Sequence, residues 1–148
     1  MCSGCRACEV ACVAWHEVQF GTVTARMRVA KVESQGLDFP HVCRLCRQAP
    51  CMAACPTGAL YRQEIGGAVL LHPDDCIGCS ACVDACPFGV VALHPETGLA
   101  LICDLCGGDP ACVKRCATGA IAYEPAEAGP RIRRQKLAIE ASTQAIER

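Results

Sequence analysis

The chain has 148 residues, a formal charge of −1 and 52% hydrophobic residues, yet only 4% are aromatic and 16 are cysteine. So little aromatic bulk leaves a conventional core short, and a small fold in that position needs staples. No basic patch with interleaved aromatics points to nucleic acid, no long apolar run to a membrane span, and no basic-then-apolar leader or twin arginine to export. A reducing cytoplasm is therefore the expected compartment, and it argues against disulfides.

The first element is a cysteine run, M-C-S-G-C-R-A-C-E-V-A-C, with Cys2, Cys5, Cys8 and Cys12 at x2, x2, x3 spacing and Val13 after it. Only Met1 precedes Cys2, whereas V-L-L-H-P-D-D precedes Cys76. We therefore expect a native segment ahead of the present start, in preference to a partner that covers this edge. Thr22 to Glu33 alternates: Val23, Ala25, Met27, Val29 and Lys31 share one parity, while Thr24, Arg26 and Arg28 share the other. That pattern predicts a strand with one charged face, and Gly36 to Pro40 reads as a turn or connector.

The second run, Cys43, Cys46, Cys51 and Cys55, has an x4 gap with Pro50 leading into Cys51. A-L-Y-R predicts a short strand, and Gly66-Gly67 closes a hairpin into A-V-L-L-H. The third run is C-I-G-C-S-A-C-V-D-A-C-P, holding Cys76, Cys79, Cys82 and Cys86 before Pro87. The fourth, Cys103, Cys106, Cys112 and Cys116, has an x5 gap containing G-G-D-P. P-T-G-A-L, P-F-G-V-V and A-T-G-A-I follow runs two, three and four, so Gly58, Gly89 and Gly119 share one position, read as a turn at positive φ. Residues 131–148 lack cysteine, glycine and proline and carry an imperfect helical stripe of Ile132, Lys136, Ile139 and Ile146. It reads as a helix or frayed tail on the protein's own surface, or as a helix that docks a partner.

Cysteines at x2, x2, x3 spacing followed by proline form the bacterial run that binds [4Fe–4S] clusters. Three cysteines within seven residues can curl around one cubane. Cys86 lies four residues after Cys82 on a short helical turn, so its sulfur points away from that cubane toward a second. Pro87 then ends the turn. Zinc sites use two separated cysteine pairs instead. A cubane with four thiolates carries about −2 oxidised and −3 reduced, so four of them would make the loaded protein roughly 8 to 12 charges more negative than the chain alone.

Other residues read more blandly. Sixteen thiols suffice for four cubanes, so His16, His41, His72 and His94 are surplus as ligands. Trp15 reads as apolar cover over a cluster, and Tyr61 and Tyr123 as strand residues beside clusters. Arg44, Arg47, Lys114 and Arg115 either offset cluster charge or are solvated. No nucleophile–base pair, phosphate loop or incomplete cysteine set points to catalysis.

With these four runs, residues 1–125 resemble the four-cluster, ferredoxin-like electron-transfer subunits of multisubunit oxidoreductases. That family includes the iron–sulfur subunits of dimethyl sulfoxide reductase, of formate and carbon monoxide dehydrogenase systems, and of tungsten aldehyde oxidoreductases. The resemblance rests on cysteine order and the x4 second gap. It implies an α+β fold of two βαββαβ modules, one inserted in the other. The outer module would span 1–37 and 98–125, the inner 38–97, with a helical extension over 126–148. It implies four [4Fe–4S] clusters on four ligand sets: Cys2, Cys5, Cys8 and Cys116; Cys103, Cys106, Cys112 and Cys12; Cys43, Cys46, Cys51 and Cys86; and Cys76, Cys79, Cys82 and Cys55.

The resemblance also implies a non-catalytic subunit that relays electrons for a larger catalytic partner, foremost a tungsten- or molybdenum-pterin aldehyde oxidoreductase. A flavin subunit, a ferredoxin and a second copy are further candidate partners. A free polyferredoxin carrier and an iron–sulfur assembly or scaffold protein are the rival readings. The x5 gap departs from the membrane-anchored subunits, and Cys12 and Cys116 lack the following proline.

Overall fold

The computed structural model describes residues 1–17, 20–63 and 67–124. The helix expected over 126–148 lies outside the described residues. A short helix begins within each cysteine run, and three hairpins separate the runs among the described residues. The helices are α1 (Ala7–His16), α2 (Pro50–Ala53), α3 (Ala81–Asp84) and α4 (Ala111–Arg115). The hairpins pair β1 (Arg28–Val32) with β2 (Leu37–His41), β3 (Leu60–Arg62) with β4 (Val69–Leu71), and β5 (Ala92–Leu93) with β6 (Ala100–Leu101), each antiparallel. The chain is thus α+β, built from separate two-stranded sheets among the described residues.

Proline limits two of the four helices. Cys55 and Cys86 each precede a proline, which disfavours helical geometry in the residue before it, and α2 and α3 stop after 4 residues. Cys12 precedes Val13, which permits α1 to run for 10 residues, through Cys12 to His16. Cys116 also lacks a following proline, yet α4 stops at Arg115 after 5 residues, so the missing proline permits the extension without forcing it. This extension carries His16 to a site discussed below.

Two sequence expectations need correction in the first hairpin. The strand foreseen over Thr22 to Glu33 is confined to Arg28–Val32, because the preceding stretch turns. The Arg28 guanidinium folds back and donates to the carbonyl oxygens of Val23 (2.5 Å), Thr22 and Met27 (both 3.1 Å), and Ala25. Thr24, assigned by parity to the charged face, is buried. The stretch taken as a connector is β2, in register from Arg28 opposite His41 to Val32 opposite Leu37. Its Pro40 lies opposite Val29. A two-stranded sheet consists only of edges, where a missing N–H is tolerated.

Two small cores form. The first joins Cys8, Cys12, Val13, Ala25, Met27, Val29 and Ile121, bringing α1 and β1 together with the end of the fourth run. Burying Val13, Met27 or Val29 contributes roughly 1.5–3 kcal/mol each. Buried Glu9 locks this unit, because its Oε1 accepts from the Val29 N–H at 2.7 Å. The second core joins Ala49, Leu60, Val69, Cys82, Val91, Ala100 and Ile102. Arg62 fastens the second run to its hairpin, donating to the carbonyl oxygens of Cys46 and Gly67 at 2.6 Å each. Between the cores, His94 Nε2 lies 3.4 Å from Glu17 Oε1.

Candidate metal centres

Each run is curled by left-handed residues at repeated positions. The residue two past the first cysteine has positive φ in all four: Gly4 (64°), Leu45 (49°), Gly78 (66°) and Leu105 (59°). The residue two before the third cysteine does so in three: Arg6 (57°), Ala49 (39°) and Ser80 (64°). The fourth run replaces the second turn by Cys106, Gly107 and Gly108, at 51°, 71° and 103°, which its x5 gap accommodates. Alternation of this kind turns successive N–H groups inward and makes a concave site for negative charge. The Gly4 N–H reaches Cys2 Sγ at 3.5 Å and the Arg26 N–H reaches Cys12 Sγ at 3.3 Å. Gly58, Gly89 and Gly119 have φ of 69°, 59° and 64°, as their repeated position led us to expect.

The cysteines gather by crossing between runs. One cavity is lined by Cys76, Cys79 and Cys82 together with Cys55. A second is lined by Cys43, Cys46 and Cys51 together with Cys86, and Cys103 borders it. A third is lined by Cys103, Cys106 and Cys112 together with Cys12. The remaining cysteines also draw together across the fold: the Ala7 N–H and the Ser3 side chain hold the Cys5 thiol below its ordinary value, with Cys116 near enough to oppose them slightly, and Cys2, Cys8 and Cys116 belong to or flank the first core. Cys5 and Cys79 are the exposed members, while the other fourteen are buried or half-buried.

Burial makes the bare thiolates costly. Burial pushes the Cys103 thiol up to about 12, with Cys43, Cys112 and Cys12 adding to the effect, and the Cys112 thiol up to about 11. Thiols this reluctant to ionise alone lose their protons outright when they coordinate a metal. The last cysteines of runs two, three and four are eased instead, whereas burial pushes the Cys12 thiol up. The Thr118 hydroxyl, at 3.6 Å, is the largest influence holding Cys116 below its ordinary value, aided by the N–H groups of Ile121 and Ala120. Thr57 stands in the same relation to Cys55, also at 3.6 Å. A set of four converging thiols with inward N–H groups fits a [4Fe–4S] cluster.

The third cavity has polar neighbours, of which sequence reading missed Arg26 and Asp104 and set His16 aside as a surplus ligand. His16, Arg26 and Asp104 line it with the four cysteines. Asp104 Oδ2 pairs with Arg26 Nη1 at 2.8 Å, and its Oδ1 accepts from the Cys106 N–H at 3.0 Å. His16 Nε2 lies 3.4 Å from Asp104 Oδ1 and 3.9 Å from Cys106 Sγ. Burial, then Arg26, holds the His16 imidazole below its ordinary pKa. The missing proline after Cys12 was the available signal, since it lets α1 reach His16.

Other candidates fall elsewhere. Trp15 is 56% exposed, so it does not cover a site as expected; α1 turns it outward. Tyr61 is in β3 and stacks on His72 with ring centroids 4.1 Å apart. Tyr123 is exposed and in no strand, contrary to expectation, because the chain after Ile121 has no pairing partner among the described residues. Arg44, Arg47, Lys114 and Arg115 are exposed, Lys114 pairing with Asp109. His41 packs edge-on against Phe39.

Fold and site together define a small protein built to hold iron–sulfur clusters on cysteine. The 4Fe-4S dicluster domain family matches residues 34–125, and the chain belongs to it, among the ferredoxin-like electron-transfer subunits. Over 104 residues the chain is 46% identical to the aliphatic sulfonate oxidoreductase, polyferredoxin-like subunit of Pyrococcus furiosus, covering 70% of this chain and 60% of that protein. Over 109 residues it is 44% identical to the thiosulfate reductase electron transfer subunit PhsB of Salmonella typhi, covering 70% and 56%. The matches thus cover less than two thirds of these relatives' lengths. A chain of the active site complex BamBC of benzoyl coenzyme A reductase aligns at a TM-score of 0.46 and 24% identity, covering 99% of this chain and 91% of that one. At that score the likeness fixes neither arrangement nor partner. Among the described residues, no helix is long and apolar enough to cross a membrane.

Proposed function

We propose that this chain is a non-catalytic subunit that holds four [4Fe–4S] clusters and passes electrons between a larger oxidoreductase subunit and an external donor or acceptor. The crossing of cysteines between runs carries the reading, because each cavity takes three thiols from one run and a fourth from another. We assign Cys76, Cys79, Cys82 and Cys55 to one cluster, and Cys43, Cys46, Cys51 and Cys86 to the next. Cys103, Cys106, Cys112 and Cys12 hold the third, and Cys2, Cys5, Cys8 and Cys116 the fourth. When bound, such clusters supply one-electron transfer without bond making at the protein.

Neighbouring sets touch in a single order. Cys82 and Cys86 flank one helical turn, Cys103 borders the cavity of Cys43, and Cys112 feels the charge of Cys8. The order supports a linear relay whose two ends are the sets that contain exposed Cys79 and exposed Cys5. The paired cores support an inner and an outer module, with a boundary later than residue 97, because Ala100 and Ile102, expected in the outer module, pack in the inner core and β6 pairs with β5. Sixteen thiols and no disulfide suit a cytoplasmic setting.

For the catalytic partner we propose a tungsten- or molybdenum-pterin enzyme, with an aldehyde as the leading substrate class. The sequence resemblance supports this, and the relatives' names show that subunits of this kind serve several oxidoreductases. Purification from the native host without oxygen, with metal analysis of whatever co-purifies, tests it. Stoichiometric tungsten or molybdenum on a larger subunit is the expected result. A cluster-loaded chain that purifies alone would show a mobile carrier instead.

A further inference from the structure

The three cysteine cavities differ in what else lines them. No charged side chain lines the Cys55, Cys76, Cys79 and Cys82 cavity, and the Cys43, Cys46, Cys51 and Cys86 cavity has only exposed Arg44. The Cys12, Cys103, Cys106 and Cys112 cavity has Asp104, Arg26 and His16 in its wall. These three are mostly withdrawn from water, with side-chain exposures of 25% for Asp104 and Arg26 and 10% for His16. They also hold one another in place. Asp104 bridges Arg26 and the Cys106 N–H, while His16 Nε2 lies between Asp104 Oδ1 and Cys106 Sγ. The backbone N–H of Arg26 meets Cys12 Sγ. Two of the four sulfurs in this set are therefore contacted directly by the triad's own residues.

We propose that Asp104, Arg26 and His16 are positioning residues that set the reduction potential of the cluster held by Cys12, Cys103, Cys106 and Cys112 apart from those of the two sets whose cavities lack such a group. The inference rests on the ligand sets proposed above. A reduced cluster carries one more negative charge than an oxidised one. Hydrogen bonds to its sulfurs and nearby positive charge therefore favour reduction, and negative charge opposes it. With water largely excluded, these interactions are screened less than they would be at the surface. Arg26 and a proton donated by His16 act in one direction, and the Asp104 carboxylate acts in the other. The cluster's potential thus depends on a balance of signs that the two other cavities lack.

The test is a potentiometric titration of the anaerobic, cluster-loaded protein, followed by electron paramagnetic resonance with dithionite as reductant. D104N keeps the side-chain shape and should move one centre to a more positive potential. R26Q and H16L should move that same centre to a more negative one, while R26K stays near the wild type. The other three centres should not move, and iron per chain should be equal throughout. Unchanged potentials in all variants at full iron content, or equal shifts in every centre, would overturn the triad and leave the ligand sets standing. Fewer than four centres in the wild type, with one of them still moving in this pattern, would sink the four-cluster reading and keep the triad. Fewer centres with none moving would overturn both.

Discussion

Replacing Gly78 by alanine should loosen the protein far more than the same change at Gly89, although both glycines have left-handed backbones, at φ 66° and 59°. The conformation alone costs an alanine about 1–2 kcal/mol, and the stiffer unfolded chain returns about 0.4–1 kcal/mol of that. Leu45 and Leu105 hold side chains at the position equivalent to Gly78, so the left-handed turn by itself is tolerated. Space separates the two glycines. A Cβ at Gly89 meets nothing within 4 Å, whereas one at Gly78 would lie 2.9 Å from the carbonyl oxygen of Gly98. That carbonyl belongs to the β5–β6 turn, which is closed by bonds from the Gly98 N–H to His94 O at 2.9 Å and from the His94 N–H to Leu99 O at 2.8 Å. The neighbour is backbone in a closed turn, so relieving the clash should cost a further ~1–3 kcal/mol, as overpacking typically does. Loss of the visible cluster absorption in denaturant, followed without oxygen, reads the difference as a rate. Gly89→Ala should bleach within about 15-fold of the wild type and Gly78→Ala about 5- to 150-fold faster than Gly89→Ala, since 1.36 kcal/mol corresponds to a factor of about ten. Equal rates for the two variants would refute the steric reasoning.

Further outcomes follow from the same contacts. Glu9→Ala should destabilise the loaded protein by about 1–3 kcal/mol, since it strands the buried Val29 N–H, and Glu9→Gln, which keeps an acceptor, should cost less in thermal melts. Cys12→Ala and Cys106→Ala should alter the same paramagnetic centre, and Cys116→Ala should alter the one altered by Cys5→Ala. A spectrum in which Cys116 groups with Cys112 would refute the crossing. Removing iron with a chelator should abolish most far-ultraviolet circular dichroism, because both cores use cysteine in place of hydrocarbon. A chelated chain with a native spectrum and unchanged protease resistance would contradict this.

The cysteine runs made the chemistry legible in the sequence, because a ligand set depends on local spacing and the left-handed turns follow that spacing. Gly58, Gly89 and Gly119 were readable for the same reason. Alternation read the first strand too long, since parity cannot reveal that Arg28 folds back onto the carbonyls of Val23, Thr22, Met27 and Ala25 and caps a turn. β2 was illegible because L-D-F-P-H alternates only over its first three residues and then meets a proline, which a lone hairpin tolerates. The Asp104, Arg26 and His16 triad assembles across 88 residues of chain, from His16 to Asp104. Nothing local marks it except the absence of proline after Cys12, whose effect on helix length appears only in three dimensions. Trp15 turned outward for a related reason: on a helix that continues, its face is fixed by α1 and not by the neighbouring cysteines.

Iron and acid-labile sulfide per chain, measured on protein purified and reconstituted without oxygen, test the central claim most directly. Four crossed sets on sixteen cysteines predict about 16 irons and about 16 sulfides per chain. A stable value of about 8, unchanged by further reconstitution, would restrict the chain to two clusters and contradict the four-site relay.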